Sequence, residues 1–153
     1  MKSVYMDHAA TTPTDPQVLE AMTPYFTEVY GNPSSVYSLS RGSRAAIEKA
    51  REQVAAALSA DPSEVYFTAS GTEADNWALK GTMERMRAQG KDHLITTQIE
   101  HHAVLHTAAY LEKVEGLTVT YLPVDPDGRV SASDLKDALT DRTGLVSVMF
   151  AHT

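Results

Sequence analysis

None of the 153 residues is cysteine. Disulfides, thiolate metal sites and a cysteine nucleophile are therefore excluded from within the chain. No apolar run approaches the length that spans a bilayer, and Met1-Lys2-Ser3-Val4-Tyr5-Met6-Asp7 lacks a signal-peptide core. Basic runs are absent too: 13 Lys and Arg stand against 20 Asp and Glu, a net charge of −7. Nucleic acid and anionic membranes are poor partners for such a chain. There is no internal repeat and no low-complexity segment. A hydrophobic share of 42% and a charged share of 22% are ordinary for a globular protein. The length suits one domain that buries on the order of 70% of its unfolded surface. Together these features imply a cytoplasmic location.

Against that plain background one stretch stands out, Val65-Tyr66-Phe67-Thr68-Ala69-Ser70-Gly71-Thr72-Glu73-Ala74-Asp75-Asn76. It reads as a short buried strand, a turn of small residues and the first turn of a helix. Ser70 followed by Glu73 matches a capping box. A helix starting there directs free backbone N–H groups and a partial positive charge at the strand end, a place for an anion such as phosphate. The same pattern also opens helices that bind nothing.

Upstream, Tyr5 to Pro16 reads as an extended, ordered arm bounded by prolines. Asp15 can cap a helix with Pro16 in its first turn. That helix carries Val18, Leu19, Met22, Tyr25, Phe26 and Val29 on one face and ends near Tyr30, before the breakers Gly31-Asn32-Pro33-Ser34-Ser35. A second helix is expected from about Leu39 to Leu58. Its stripe is Ala45, Ala46, Ile47, Ala50, Val54, Ala55 and Leu58, and its solvated face carries Arg41, Arg44, Glu48, Lys49, Arg51 and Glu52.

Downstream, the helix opened at Ser70 runs to about Gln89 with Trp77, Leu79, Met83 and Met86 for the core, and Gly90 stops it. His93–Thr97 is a strand, about His102 to Val114 a helix, and Thr118–Leu122 a strand. Asp125-Pro126-Asp127-Gly128 is a turn. Ser133 or Asp134 caps a short helix through Leu139, and Leu145–Phe150 is a continuous apolar strand. Strands alternating with helices predict an α/β fold, a mainly parallel sheet with helices on both faces. Ligands of such sheets sit beyond the carboxyl ends of the strands, where Ser70–Thr72 and Gln98–His102 fall. A strand like Leu145–Phe150 is usually buried on both faces. Ala151-His152-Thr153 follows directly, the pattern of an incomplete polypeptide, with a compact protein ending there as the alternative.

Histidine is the other chemical signal, in Glu100-His101-His102-Ala103-Val104-Leu105-His106. His102 and His106 share a helix face, and with Glu100 they could form a metal site, although no Glu lies between them as a zinc hydrolase requires. His101 alone, above the same strand ends as the phosphate turn, can stack on a heteroaromatic ring and move a proton near neutral pH. A satisfied surface histidine is the bland alternative.

In this order the segments resemble the N-terminal portion of class V, fold type I enzymes that use pyridoxal 5'-phosphate (PLP), specifically cysteine desulfurases of the NifS and IscS type. The matching segments are Tyr5–Pro13, Gly31–Ser35 with the helix bearing Arg41 and Arg44, Phe67–Asn76, and Glu100–Leu105. The resemblance implies residues 1–35 as N-terminal arm, helix and Gly-Asn-Pro loop, and 36–153 as part of the PLP-binding large domain. It implies that Gly71 and Thr72 bind the cofactor phosphate and that His101 binds the ring and is catalytic. It implies no metal, conversion of L-cysteine to L-alanine with the sulfur passed on as a persulfide, a homodimer, and a sulfur-acceptor or scaffold protein as partner.

The departures are as specific as the matches. Tyr37 stands where the family usually has histidine, and Ser40 where glycine is common. His152 and Thr153 stand in place of an Asn-Asn-Glu whose second Asn contacts the ring hydroxyl. No residue corresponds to the Asp that pairs with the pyridine nitrogen, to the Ser-x-His-Lys carrying the cofactor lysine, or to the nucleophilic cysteine. The expectation is a chain unable to desulfurate cysteine by itself. Two other readings stay open: a non-catalytic, self-associating interaction module, and a small metal-dependent hydrolase on Glu100, His102 and His106. Selenocysteine lyases and other class V enzymes share the same motifs.

Overall fold

Asp15 caps helix α1 (Pro16–Met22) as its sequence foretells, its side chain accepting the Gln17 N–H at 2.8 Å. The computed structural model describes residues 3–151, in two compact units that divide between Phe67 and Thr68. In the first unit the arm is not simply extended. Residues 8–10 form a turn, with Ala10 N–H donating to Asp7 O at 3.2 Å and Tyr5 Oη 2.8 Å from Thr11 Oγ1. The single helix expected up to Tyr30 is two, α1 and α2 (Pro24–Thr27). Pro24 has no N–H to continue the ladder, so the regular pattern stops at Thr23, whose own N–H and hydroxyl both bond Leu19 O.

Helix α3 (Ser40–Leu58) follows the expected span and ends at Ser59 in the left-handed region, φ 55°. Its first turns tie down the Gly-Asn-Pro loop. Ser40 is buried and its Oγ donates to Ser35 O and Tyr37 O, while the Arg44 Nε and Nη2 both donate to Pro33 O. Arg44 is on the solvated face as expected, and from there its planar guanidinium also serves a carbonyl cluster. Gly31 is required here: a Cβ would lie 2.2 Å from Leu39 O. The expected strand at Val65–Phe67 is a correction. It follows a single 3₁₀ turn (Pro62–Glu64) and is extended at Val65, but it pairs with no strand of the described residues. Extended backbone becomes sheet only beside a neighbour. Arg51 holds it instead, donating to Val65 O with its guanidinium over the Phe67 ring.

The second unit contains α4 (Gly71–Arg87), β1 (His93–Thr97), α5 (His102–Lys113), β2 (Thr118–Leu122), α6 (Ala132–Ala138) and β3 (Thr143–Val146). The three strands are parallel in the order β2-β1-β3, with Leu94 opposite Val119 and Leu145. The central strand is buried throughout, on both of its faces. Leu79 and Met83 of α4 and Val104, Ala108 and Leu111 of α5 pack with Leu94 and Leu117 into one core cluster, flanked by Val119, Tyr121 and Leu145. Helix α6 packs on β2. The parallel α/β architecture read from the sequence is therefore the one observed.

Three local expectations are corrected. Trp77 is half exposed: it lies about 200° round the helix from Leu79, off the buried face. The cap of α6 is Ser131, ahead of the expected Ser133 or Asp134, its Oγ accepting Ser133 N–H at 3.2 Å. Strand β3 stops at Val146 rather than Phe150, and Val148 and Phe150 are exposed. β1 itself continues to Thr97, opposite position 148 in the same register, but the last ladder bond is Ser147 N–H to Ile95 O. The next inward N–H, that of Met149, donates to the Glu100 side chain instead. Of the described residues, no helix is long and apolar enough to cross a membrane. His152 and Thr153, where the family's Asn-Asn-Glu would stand, lie outside the described residues.

Candidate functional site

Two helices that start at the same end of the parallel sheet build the site. At the start of α4, Ser70 Oγ accepts Glu73 N–H at 3.2 Å, and Glu73 Oε2 accepts Ala69 N–H at 2.7 Å. This is the expected capping pair, with the carboxylate reaching one residue further back than the standard box. It consumes those two donors and leaves the N–H groups of Gly71 and Thr72 and the Thr72 hydroxyl with no acceptor among the described residues. A Cβ on Gly71 would meet nothing within 4 Å, so the approach to that turn is open.

At the start of α5, His101 is itself the cap. Its Nδ1 accepts Ala103 N–H at 3.1 Å. An accepting Nδ1 assigns the neutral imidazole's proton to Nε2, which fixes both tautomer and ring orientation. One residue earlier, Glu100 is only 6% exposed. Its Oε1 accepts from Thr97 Oγ1 at 2.9 Å and from Met149 N–H at 2.8 Å.

The two helices lie side by side, and a groove of about 320 Å³ runs between them. Thr72, Asn76 and Lys80 line it from α4, at successive helical turns. His102, His106 and Tyr110 line it from α5 with the same spacing, and His101 stands at its mouth among the lining residues. Asn76 Nδ2 donates to Thr72 O at 2.9 Å, bracing the first turn. Lys80 Nζ lies 4.5 Å from the centre of the Tyr110 ring. A hydrogen bond to Glu115 raises the Tyr110 phenol above its ordinary range. The His102 and His106 rings are 5.1 Å apart at 31°.

Of the sequence-predicted residues, the structure thus brings Thr72 and His101 to one groove, while Gly71 contributes backbone just outside its lining. Glu100, His102 and His106 do not form a metal centre. The Glu100 oxygen is occupied by Thr97 and Met149, and among the described residues no group of three His, Cys, Asp or Glu could hold a metal ion. Lys80 and Tyr110, and the groove-lining place of Asn76 within the stretch already singled out, were not read from the sequence, although their i, i+4 spacing from Thr72 and His106 was available as a signal.

The residues present fit a phosphorylated heteroaromatic cofactor. Three unpaired donors at a helix start suit a phosphate, and a ring of fixed orientation beside them suits a planar partner. Comparisons with known proteins give the family. The pattern of the aminotransferase class-V family matches residues 4–153. The chain is 59% identical over 151 residues to a cysteine desulfurase IscS of Clostridium botulinum, covering 99% of this chain and 38% of that protein. Among solved structures, a NifS-like protein superposes with a TM-score of 0.92 at 44% identity, over 97% of this chain and 40% of the other. One described as SspA in complex with cysteine superposes at 0.87 with 39% identity, over 95% and 42%. The chain spans about two fifths of the length of these relatives. It belongs to the aminotransferase class-V family.

Proposed function

We propose that this chain supplies the phosphate cradle and one ring-facing wall of a PLP-dependent cysteine desulfurase. The observation that carries the reading is that Thr72 and His101, on different helices, line one groove. Gly71 and Thr72 N–H groups and the Thr72 hydroxyl would hold the phosphate, aided by the partial charge of α4. The His101 imidazole would lie against the pyridine ring. When bound, PLP acts as the electron sink for bonds at the substrate α-carbon.

What the chain's own residues do is bind and orient. Ala103 N–H holds His101 Nδ1, so proton transfer falls to Nε2, the one ring nitrogen left free. L-Cysteine is the proposed substrate, supported by the names of the relatives and by the cysteine complex of the SspA neighbour. None of the 153 residues is cysteine, so the thiol that takes the sulfur must come from another segment or another chain. A homodimer, a sulfur-acceptor or scaffold protein and a cytoplasmic setting complete the proposal.

The test uses the single tryptophan, Trp77 on α4, as a built-in probe. PLP bound at the start of that helix should quench its emission. Thr72→Ala and His101→Ala should each weaken PLP binding by roughly tenfold, the loss expected for a charge-assisted or stacked contact. His106→Ala, further along the groove, should not. Equal affinity across wild type, T72A and H101A would overturn the reading.

A further inference from the structure

We propose that Glu100 is a positioning residue whose single oxygen Oε1 joins the end of β1 to the segment after β3, so that the backbone carrying His101 into the groove is anchored against that segment. The Glu100 carboxylate is the buried acid closest in sequence to the site, and its bonds cross the fold. Thr97 Oγ1 donates from the last residue of β1, and Met149 N–H donates from 49 residues further on. β3 has already left the ladder at this point, and the last backbone bond between the strands is Ser147 N–H to Ile95 O at 2.9 Å. From there on the carboxylate replaces the sheet.

A buried carboxylate is costly unless it is satisfied, and it exerts a strong pull on its donors. A neutral side chain could have terminated β1 at lower cost. The gain from Glu is geometric. Its anchor immediately precedes His101, whose ring is then aimed by the cap bond to Ala103. The same anchor fixes the backbone at Met149. One oxygen therefore ties the residue before His101 to segments from two different strands. This inference rests on the PLP reading for its consequence, but not for the clamp itself.

Two measurements separate the parts. The first is amide hydrogen exchange at Met149 in the absence of cofactor, which reads the clamp directly. In Glu100→Ala the Met149 amide should lose protection by roughly tenfold or more, while Ile95 and Thr96 keep theirs. Glu100→Gln, which retains an acceptor oxygen, should restore most of it. The second is PLP affinity followed by Trp77 emission. E100A should weaken it several-fold and E100Q should rescue it, although Glu100 lies outside the groove lining. Thr97→Val, a milder change that leaves the Met149 bond in place, guards against a misfolded E100A and should fall between wild type and E100A in both measurements. Unchanged Met149 protection in both E100A and T97V would overturn the clamp whatever PLP does. If H101A weakens PLP binding and folded E100A does not, the coupling to the ring is wrong. If T72A and H101A are both without effect, the cofactor reading fails, and the exchange result still decides the clamp.

Discussion

His93 shows how a single buried side chain can tie a sheet together and give it a pH dependence. Its Nδ1 lies 2.9 Å from Thr143 Oγ1 and its Nε2 2.8 Å from Thr120 Oγ1, so the ring spans all three strands near their amino ends. Burial, first of all, holds its pKa below the usual 6.5. Asp92 opposes that shift and Arg142 adds to it. The sign follows from linkage. A histidine whose folded pKa is depressed binds fewer protons than the unfolded chain just below pH 6.5, so stability falls as pH falls through that range. Stability is fully present above pH 6.5 and is lost progressively toward the lowered folded value. Urea midpoints at pH 7.5 and 5.5 should therefore differ in wild type, and the difference should shrink in His93→Ala. That variant should also lose about 1–2 kcal/mol at pH 7.5, because two threonine hydroxyls lose their partner. Identical midpoints at both pH values in wild type would refute the assignment.

At the level of elements, glycine positions separate a turn that must stay open from one that must stay tight. At Gly31 a Cβ would meet Leu39 O at 2.2 Å, Leu39 C at 2.6 Å and Ser40 N at 2.9 Å, all backbone at the start of α3. That backbone is held by the Ser40 bonds, so it cannot yield cheaply. Gly31→Ala should cost about 1–3 kcal/mol in thermal or chemical denaturation, whereas Gly71→Ala should change stability by less than about 0.5 kcal/mol. A neutral G31A would show that the loop can move. The same elements show what was legible in the sequence. β1 and β2 were read to the residue because their apolar runs are short and bounded by clear stops. Asp15, Ser70 and His101 lie at helix starts where their patterns put them. The misreadings arise where local pattern competes with a remote neighbour. Val65–Phe67 has the composition of a strand but no strand beside it among the described residues, and β3 leaves the ladder before β1 ends because the Glu100 carboxylate takes the Met149 N–H. Pro24, the Ser131 cap and the helical phase of Trp77 were local signals overlooked. The roles of Glu100 and Arg44 depend on what lies opposite them in space, which no spacing rule encodes.

For the molecule as a whole the decisive quantity is surface. A compact protein of 16.6 kDa should expose about 7,600 Å², and even two separate bodies sharing that mass should expose about 9,100 Å². The chain exposes 11445 Å². The excess over the larger figure, about 2,300 Å², is the size of a permanent protein interface. Large apolar side chains stand in that surface: Met6, Phe26, Val36, Leu58 and Phe150 are each at least 70% exposed. Few isolated monomers leave so much apolar area in water, and the simplest cover available to a purified chain is a second copy of itself. At tens of micromolar the chain should therefore sediment as a species heavier than 16.6 kDa. Dilution should release monomer that binds an apolar dye strongly, because the released surface is the surface that was covered. Phe26→Glu and Phe150→Glu should shift the equilibrium toward monomer without altering the exchange protection of β1, since neither residue belongs to the buried core. A monodisperse 16.6 kDa species with little dye binding at every concentration would show that the exposed apolar surface is tolerated as it stands.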